Sequence, residues 1–415
     1  MTTLFIKNAS QLATLASGTK GPRKKEQMSQ LNIIENGAVY VEDGKIRDVG
    51  TTDELASRYE ADTDEVVDAE GRLVTPGLVD AHTHVVFGGS RAHEFERRLQ
   101  GATYMEIMNE GGGIHATTRM TREATEEELI AQTKRRLDSF LKHGVTTVES
   151  KSGYGMNWET ELKQLRVMQE LQKEHPIDLV PTFMGAHAVP PEYKGREEVF
   201  VQHVIDDMLP IVAEEKLAKF NDVFCEKDVF TPDQSERILE AGKRLGLVPK
   251  IHADEIESYG GAELAAKVEA VSAEHLLKAS DEGIKAMAAA NVIACLLPAT
   301  ALYLREDAAR GRKMIDAGVA VAISTDNNPG SSPTTSLPLV MNLACILMRM
   351  TPAEALTAAT YNGACAIQME DEVGSIEVGK KGDIVLWDVQ SYQELQYLFG
   401  VNHVASVWKE GVKVV

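Results

Sequence analysis

Two histidines one residue apart close the segment Thr75-Pro-Gly-Leu-Val-Asp-Ala-His-Thr-His84. Side chains along a strand alternate faces, so His82 and His84 project to the same side and can grip one ion. Further along, Lys-Ile-His-Ala-Asp-Glu255 offers His252 with a carboxylate three residues on, Ser-Ala-Glu-His275 offers another imidazole, and Ser-Thr-Asp326 ends an apolar run in a carboxylate. Imidazole nitrogen combined with carboxylate oxygen suits zinc, iron or a similar divalent ion. His82, His84, His252 and Asp326 would leave one coordination position for water, which such an ion makes nucleophilic near neutral pH. Glu255 would then take and return the proton, with Asp326 the second candidate base, and His275 would polarise the bond under attack.

These residues need a scaffold that brings distant segments together. Apolar strand-like runs occur near 73–81, 145–150, 178–186, 222–226, 247–253, 270–276, 292–297 and 319–325. Helical patterns such as 125–143, 159–174, 232–245 and 281–290 lie between them. Gly144, Gly246, Asn291 and Gly318 stand where helices stop before the next strand. The alternation predicts an α/β fold, a (β/α)8 TIM-like barrel with insertions, with a doubly wound open sheet as the alternative. In a barrel the chemistry sits at strand C-termini. There the sequence places His82 and His84, Lys151 and Tyr154, His187, Glu226, His252 and Glu255, His275, and Asp326 with Asn328. Five of the eleven histidines fall at such ends; His93, His115, His143, His175, His203 and His403 read as ordinary core or surface groups.

Both termini read as β-structure, with Asp43-Gly44 and Glu410-Gly411 as hairpin turns. They are expected to form one small discontinuous β-sandwich domain from residues 1–72 and 368–415, leaving 73–367 as the barrel.

Composition narrows the partners. With 43 basic against 63 acidic side chains the formal charge is −20, which argues against nucleic acid or an anionic membrane; the partner expected from the candidate site is a small-molecule substrate. The basic loop Lys20-Gly-Pro-Arg-Lys-Lys25 reads as solvated. No secretory signal or apolar stretch of about 18 residues is apparent, so no transmembrane helix is expected. Cys225, Cys295, Cys345 and Cys365 form no Cys-x-x-Cys pair and fit reduced thiols in a cytoplasmic protein.

The histidine, Glu255 and Asp326 segments together resemble the amidohydrolase superfamily, metal-dependent hydrolases on a (β/α)8 barrel with a flanking β-sandwich; Gly374-Ser-Ile-Glu-Val-Gly-Lys-Lys-Gly-Asp-Ile-Val-Leu386 resembles their return to the small domain. More narrowly, six segments resemble the imidazolonepropionase family. They are His-Thr-His-Val-Val-Phe-Gly-Gly-Ser-Arg91, Gly-Gly-Gly113, Lys-Ser-Gly-Tyr-Gly155, Thr-Phe-Met-Gly-Ala-His-Ala188, His-Ala-Asp-Glu255 and Asn-Pro-Gly-Ser-Ser-Pro333. That resemblance implies hydrolysis of 4-imidazolone-5-propanoate to N-formimidoyl-L-glutamate in histidine degradation, with one zinc or iron ion per chain and a homodimer. It also implies His82, His84, His252 and Asp326 as metal ligands, and Arg91, Tyr154, His187, Glu255, Asn328, Gly330 and Ser331 as substrate contacts. Arg91 suits a propionate tail, because a guanidinium presents paired donors to a carboxylate.

Two positions depart from expectation or invite another reading. Asn327 stands where a hydrophobic or aromatic residue is expected, implying a small change in packing. Lys227, just after the fourth strand, is the candidate for a carboxylated lysine bridging two metals, which its surroundings disfavour. The rival enzyme is another cyclic amidohydrolase or a nucleobase deaminase, for which His252, Glu255 and His275 would serve equally well. Arg91 separates the two, since a neutral base needs no cation. A non-catalytic scaffold would have lost ligands, and none is missing.

Overall fold

The computed structural model describes residues 2–16, 18, 20–102, 106–107 and 110–415. The described strands form two sheets, and every strand of one of them is parallel. β1 (Thr3–Ala13), β2 (Ile33–Glu42), β3 (Lys45–Thr51), β4 (Glu65–Asp68) and β5 (Leu73–Pro76) precede the barrel. The barrel strands are β6 (Leu78–Asp80), β7 (Val145–Lys151), β8 (Asp178–Ala186), β9 (Phe220–Cys225), β10 (Val248–Ala253), β11 (Ser272–His275), β12 (Ile293–Leu296) and β13 (Val321–Ile323). β14 (Ile384–Trp387), β15 (Val404–Lys409) and β16 (Val412–Lys413) return to the terminal sheet.

Neighbours in the barrel sheet follow chain order from β6 to β13. The ring closes just beyond the last strand ends: Thr83 bridges Asn327, Asp326 N donates to His82 O (3.0 Å) and His84 N donates to Asn327 O (2.9 Å). The seam joining first and last strands therefore carries two of the paired histidines and the aspartate. Helices cover the outside, as expected from the sequence. In Glu126–Lys142, Thr125 caps the N-terminus by accepting from Glu128 N, and Leu129, Leu137, Phe140 and Leu141 are buried. Each such side chain contributes about 1.5–3 kcal/mol by leaving water.

The apolar run 73–81, expected as one strand, serves both sheets. Leu73–Pro76 pairs with β1 and β14 in the terminal sheet, while Leu78–Asp80 pairs with β7 in the barrel. The switch falls at Gly77, where any Cβ would collide with Thr146, so the strand leading to His82 and His84 enters the barrel through a position that only glycine fits. The terminal sheet runs β16-β15-β14-β5-β1-β2-β3, with β4 also beside β1, so N- and C-terminal strands interleave. Leu4, Val39, Ile46, Ile384, Leu386 and Trp408 share its inner core. The Asp43-Gly44 and Glu410-Gly411 turns both hold two positive φ angles, as two-residue hairpins require. No described helix is long and apolar enough to cross a membrane.

Candidate metal centre and active site

Five imidazoles and one carboxylate converge at the barrel mouth. His82 Nε2 lies 3.4 Å and His84 Nε2 3.6 Å from Asp326 Oδ1, and the His82 and His252 rings are 4.6 Å apart between centroids. His275 lies 5.1 Å from the His252 ring, and His187 stacks on His84 at 5.1 Å. Among the described residues the candidate ion-holding groups are His82 with His84 and Asp326, His82 with His252 and His275, and His82 with Glu274 and Cys295, the last on the Nδ1 side of the His82 ring that Glu274 already occupies.

Hydrogen bonding tests whether these residues fit a metal. His82 Nδ1 donates to Glu274 Oε2 (2.7 Å) and His252 Nδ1 donates to Asp222 Oδ1 (3.1 Å). The opposite Nε2 atoms of both rings are buried with no hydrogen bond among the described residues. A buried polar atom left unpaired costs about 1–3 kcal/mol, so two such atoms in one cluster call for an occupant. A carboxylate on Nδ1 fixes the tautomer that presents Nε2 as a lone-pair donor, the usual outer support of a metal-bound histidine. Burial holds His82, His84 and His275 far below the ordinary imidazole range and pushes His187 down to about 4, so these rings are neutral near pH 7. Asp326 accepts from Thr300 Oγ1 (2.7 Å) and is pushed up to about 7 by burial, a penalty that a cation would cancel. The residues fit a divalent ion.

Below the ligands lies a layer of buried charge. Lys151 Nζ contacts Glu149 (2.8 Å) and Asp222 (2.9 Å), and Lys250 Nζ contacts Ser272 (2.7 Å) and Glu274 (3.2 Å). All the charged members are fully buried. Burial alone would raise Glu274, yet the Lys250 and Lys151 ammonium groups pull it down to about 2; against the same penalty His252 and Lys151 hold Asp222 well below the carboxylate range. Both histidine-supporting carboxylates are therefore ionised acceptors. Sequence reading assigned no role to Glu149, Asp222, Lys250 or Glu274. A signal was present: Lys250 precedes His252, and Ser272 precedes Glu274, by the two residues that keep one strand face. Charge inside an apolar strand needs a partner across it.

Glu255 stands over the cluster, its Oε1 3.5 Å from His275 Nδ1. Burial, then the charges of Asp326 and Glu226, push it up to about 8. Its loop is pinned by Glu226, which accepts from Ile256 N (2.8 Å) and Glu257 N (3.3 Å). Glu226 thus folds the loop that carries Glu255. Lys227 lies outside the cluster, paired with Glu257 at 2.9 Å.

Arg91 caps the start of helix Ala92–Leu99, and its Nε donates to Glu94 Oε2 (2.8 Å). Glu94 also accepts from Gly113 N (3.0 Å), which ties in the Gly-Gly-Gly113 turn. A Cβ at Gly330 would strike Arg91 Nη1, so glycine there leaves room for the guanidinium. Asn328 spends its amide on its own loop: Oδ1 accepts from Gly330 N and Ser331 N (both 2.8 Å), and Nδ2 donates to Ser331 Oγ (2.9 Å). Tyr154 is buried 5.6 Å from the His84 ring and 5.4 Å from the His187 ring, whose Nδ1 donates to Gly153 O at 3.0 Å. Asn327 turns its amide to Thr334 O (2.7 Å), away from the ligands.

Residues 73–414 match the model of the amidohydrolase family, and residues 37–59 match the imidazolonepropionase-like composite domain of bacteria. The chain is 63% identical over 414 residues to imidazolonepropionase of Brevibacillus brevis, covering 99% of this chain and 98% of that protein. It is 56% identical to imidazolonepropionase of Clostridium tetani, covering 98% and 97%. Among solved structures it resembles an adenosine deaminase from Xanthomonas campestris with bound zinc (TM-score 0.71, 21% identity, 99% of this chain and 92% of that one). It also resembles E. coli guanine deaminase (TM-score 0.74, 14% identity, 100% and 99%), and at such identities the likeness is one of fold.

Proposed function

The chain belongs to the amidohydrolase family, among its imidazolonepropionases, and we propose that it hydrolyses the cyclic amide of 4-imidazolone-5-propanoate to N-formimidoyl-L-glutamate, a step of histidine degradation. The supporting observation is the meeting of a metal-type imidazole cluster with a forked cation, Arg91, beside the same Asn328–Ser332 loop. One zinc or iron ion would be held by His82, His84, His252 and Asp326. When bound, it would supply a Lewis acid able to activate water and polarise the ring carbonyl.

The protein's own groups do the rest. Glu255, poised near neutral pH, takes a proton from the attacking water on its carboxylate and delivers it to the departing ring nitrogen. His275, beside Glu255, orients the carbonyl. Arg91, held by Glu94, presents its remaining N–H groups to the propionate. Tyr154 and His187 wall the ring's side of the pocket, and Gly330 and Ser331 complete the loop that Asn328 folds. This chemistry belongs to the barrel, which begins at β6 (Leu78–Asp80), with the β-body built from both termini and β5 (Leu73–Pro76) as its buttress.

A deaminase reading remains the alternative, since His252, Glu255 and His275 would also serve attack on a nucleobase. Arg91 decides between them. Arg91→Ala is expected to raise KM for the imidazolone by roughly one to two decades with kcat largely retained, because a hydrogen bond to a charged group is worth about 1.5–3 kcal/mol. Arg91→Lys should recover only part, lacking the fork. Steady-state kinetics on both variants, with adenine, guanine and cytosine as controls, tests the assignment. Unchanged kinetics in Arg91→Ala, or efficient deamination of a neutral base by the parent, would count against it.

We also propose a cytoplasmic homodimer. Supporting the dimer, neighbouring helices Pro298–Leu304, Leu337–Met348 and Tyr392–Tyr397 expose Leu302, Ile346 and Tyr397, with Phe399 and Val401 beyond, a run of apolar surface suited to self-association.

A further inference from the structure

Beside the candidate metal centre opens a cavity of about 770 Å³. Arg91 and Asn327 belong to its wall, so it adjoins the residue after the metal-site aspartate. Arg135 and Arg136, from helix Glu126–Lys142, line it as well, and no aspartate or glutamate among the described residues does. In a chain of 63 acidic and 43 basic side chains, an arginine-lined cavity free of carboxylates is a marked exception.

Arg91 is paired with Glu94, whereas Arg135 and Arg136 have no carboxylate partner among the described residues. Arg136 Nη1 donates to Val85 O (2.8 Å) and Phe87 O (3.0 Å), and its guanidinium lies 3.5 Å from the Phe87 ring centre. Those partners are neutral; burial and then the neighbouring Arg135 push Arg136 down to about 10. Arg135 is exposed, and among the described residues it has no hydrogen bond or ion pair. Two adjacent guanidinium groups without a counter-charge repel each other, and an anion between them relieves that repulsion. Phe95 and Tyr303, stacked at 5.4 Å, give the cavity a flat apolar wall.

We infer that this cavity is a second anion site, binding the carboxylate of a small organic acid through Arg135 and Arg136 next to Arg91. Resting on the function proposed above, the occupant is the incoming substrate, whose propionate is captured here before Arg91 receives it. A chain of charge −20 repels such an anion at long range, and a local positive cavity offsets that repulsion. A different small carboxylate acting as an effector would use the same chemistry.

Glutarate, which has carboxylates but no ring to hydrolyse, is the probe, titrated calorimetrically into the metal-loaded protein. Arg135→Glu is expected to weaken glutarate binding about tenfold or more, with Arg135→Lys close to the parent and metal content unchanged in both. In turnover, Arg135→Gln should raise KM for the imidazolone about three- to tenfold with kcat retained. Most of that difference should vanish between about 0.05 and 0.5 M NaCl, as screening shortens the reach of charge. Competitive inhibition by glutarate assigns the site to the substrate; a change in kcat assigns it to an effector. Glutarate affinity and KM indifferent to Arg135→Glu overturn the proposal, as does a variant that changes only the oligomeric state, which would make the cavity a subunit contact. If the parent fails to hydrolyse the imidazolone while Arg135→Glu still weakens glutarate, the cavity stands and the assigned reaction falls.

Discussion

Asp326→Ala is expected to release the metal and abolish hydrolysis together. Among the described residues Asp326 is the one carboxylate that both His82 and His84 approach, at 3.4 and 3.6 Å. Loss of partners that merely orient a ligand costs about 10- to 100-fold in metal affinity, so loss of the charged ligand itself should exceed that range. Competition with a chromophoric chelator reads affinity without turnover. A linked effect concerns pH. In the metal-free protein the folded-state values of Asp326 (about 7) and Glu255 (about 8) lie above their ordinary values of 3.8 and 4.5. Folding then holds protons that the unfolded chain releases. The stability from these groups is full below about pH 4 and is lost as pH rises through about 7 to 8. Metal binds the ionised carboxylate, so metal should raise Tm more at pH 8 than at pH 6 in the parent, and at neither pH in Asp326→Ala. Equal metal-induced shifts in parent and variant would remove Asp326 from the ligand set.

Glu255→Gln is expected to keep the metal and lose roughly 10² to 10⁴ in kcat, the usual worth of a general base. Glutamine preserves shape and the loop folded by Glu226, so the change isolates the proton-carrying oxygen. In the parent, the carboxylate form grows as pH rises through the group's raised value, giving kcat/KM an acidic limb. A nearby dication moves that limb below about 8 by favouring the ionised form. The limb should be absent from the variant. Near-parental turnover with an unaltered pH profile would transfer the base role to Asp326.

Much of the architecture was legible because barrel strands carry a periodic signal that ends abruptly in polar residues. Strand β8 and the helix Asp281–Ala290 fall on the residues expected, and every strand-end histidine singled out reaches the mouth. What escaped was pairing across strands. Asp222 and Glu274 belong to different strands from the histidines they support, and a linear sequence does not show which strands are neighbours. The division of the 73–81 run between two sheets escaped for a related reason: hydrophobicity reports burial, and both halves are fully buried. Asn328 illustrates a third limit: the resemblance implied a contact with substrate, and the linear sequence did not show that the same amide also shapes the Gly330-Ser331 turn. In the Glu226 loop the same logic holds in reverse, a carboxylate at a strand end serving the backbone that positions Glu255.

The most direct measurement is incubation of the metal-loaded protein with freshly prepared 4-imidazolone-5-propanoate, following loss of the imidazolone ultraviolet absorbance and identifying the product by mass. The account predicts metal-dependent loss of absorbance with one molecule of water gained per substrate, the mass of N-formimidoyl-L-glutamate, and no such loss in Asp326→Ala. Persistence of the imidazolone in the presence of the metal-loaded parent, or its consumption at the same rate without metal, would contradict it.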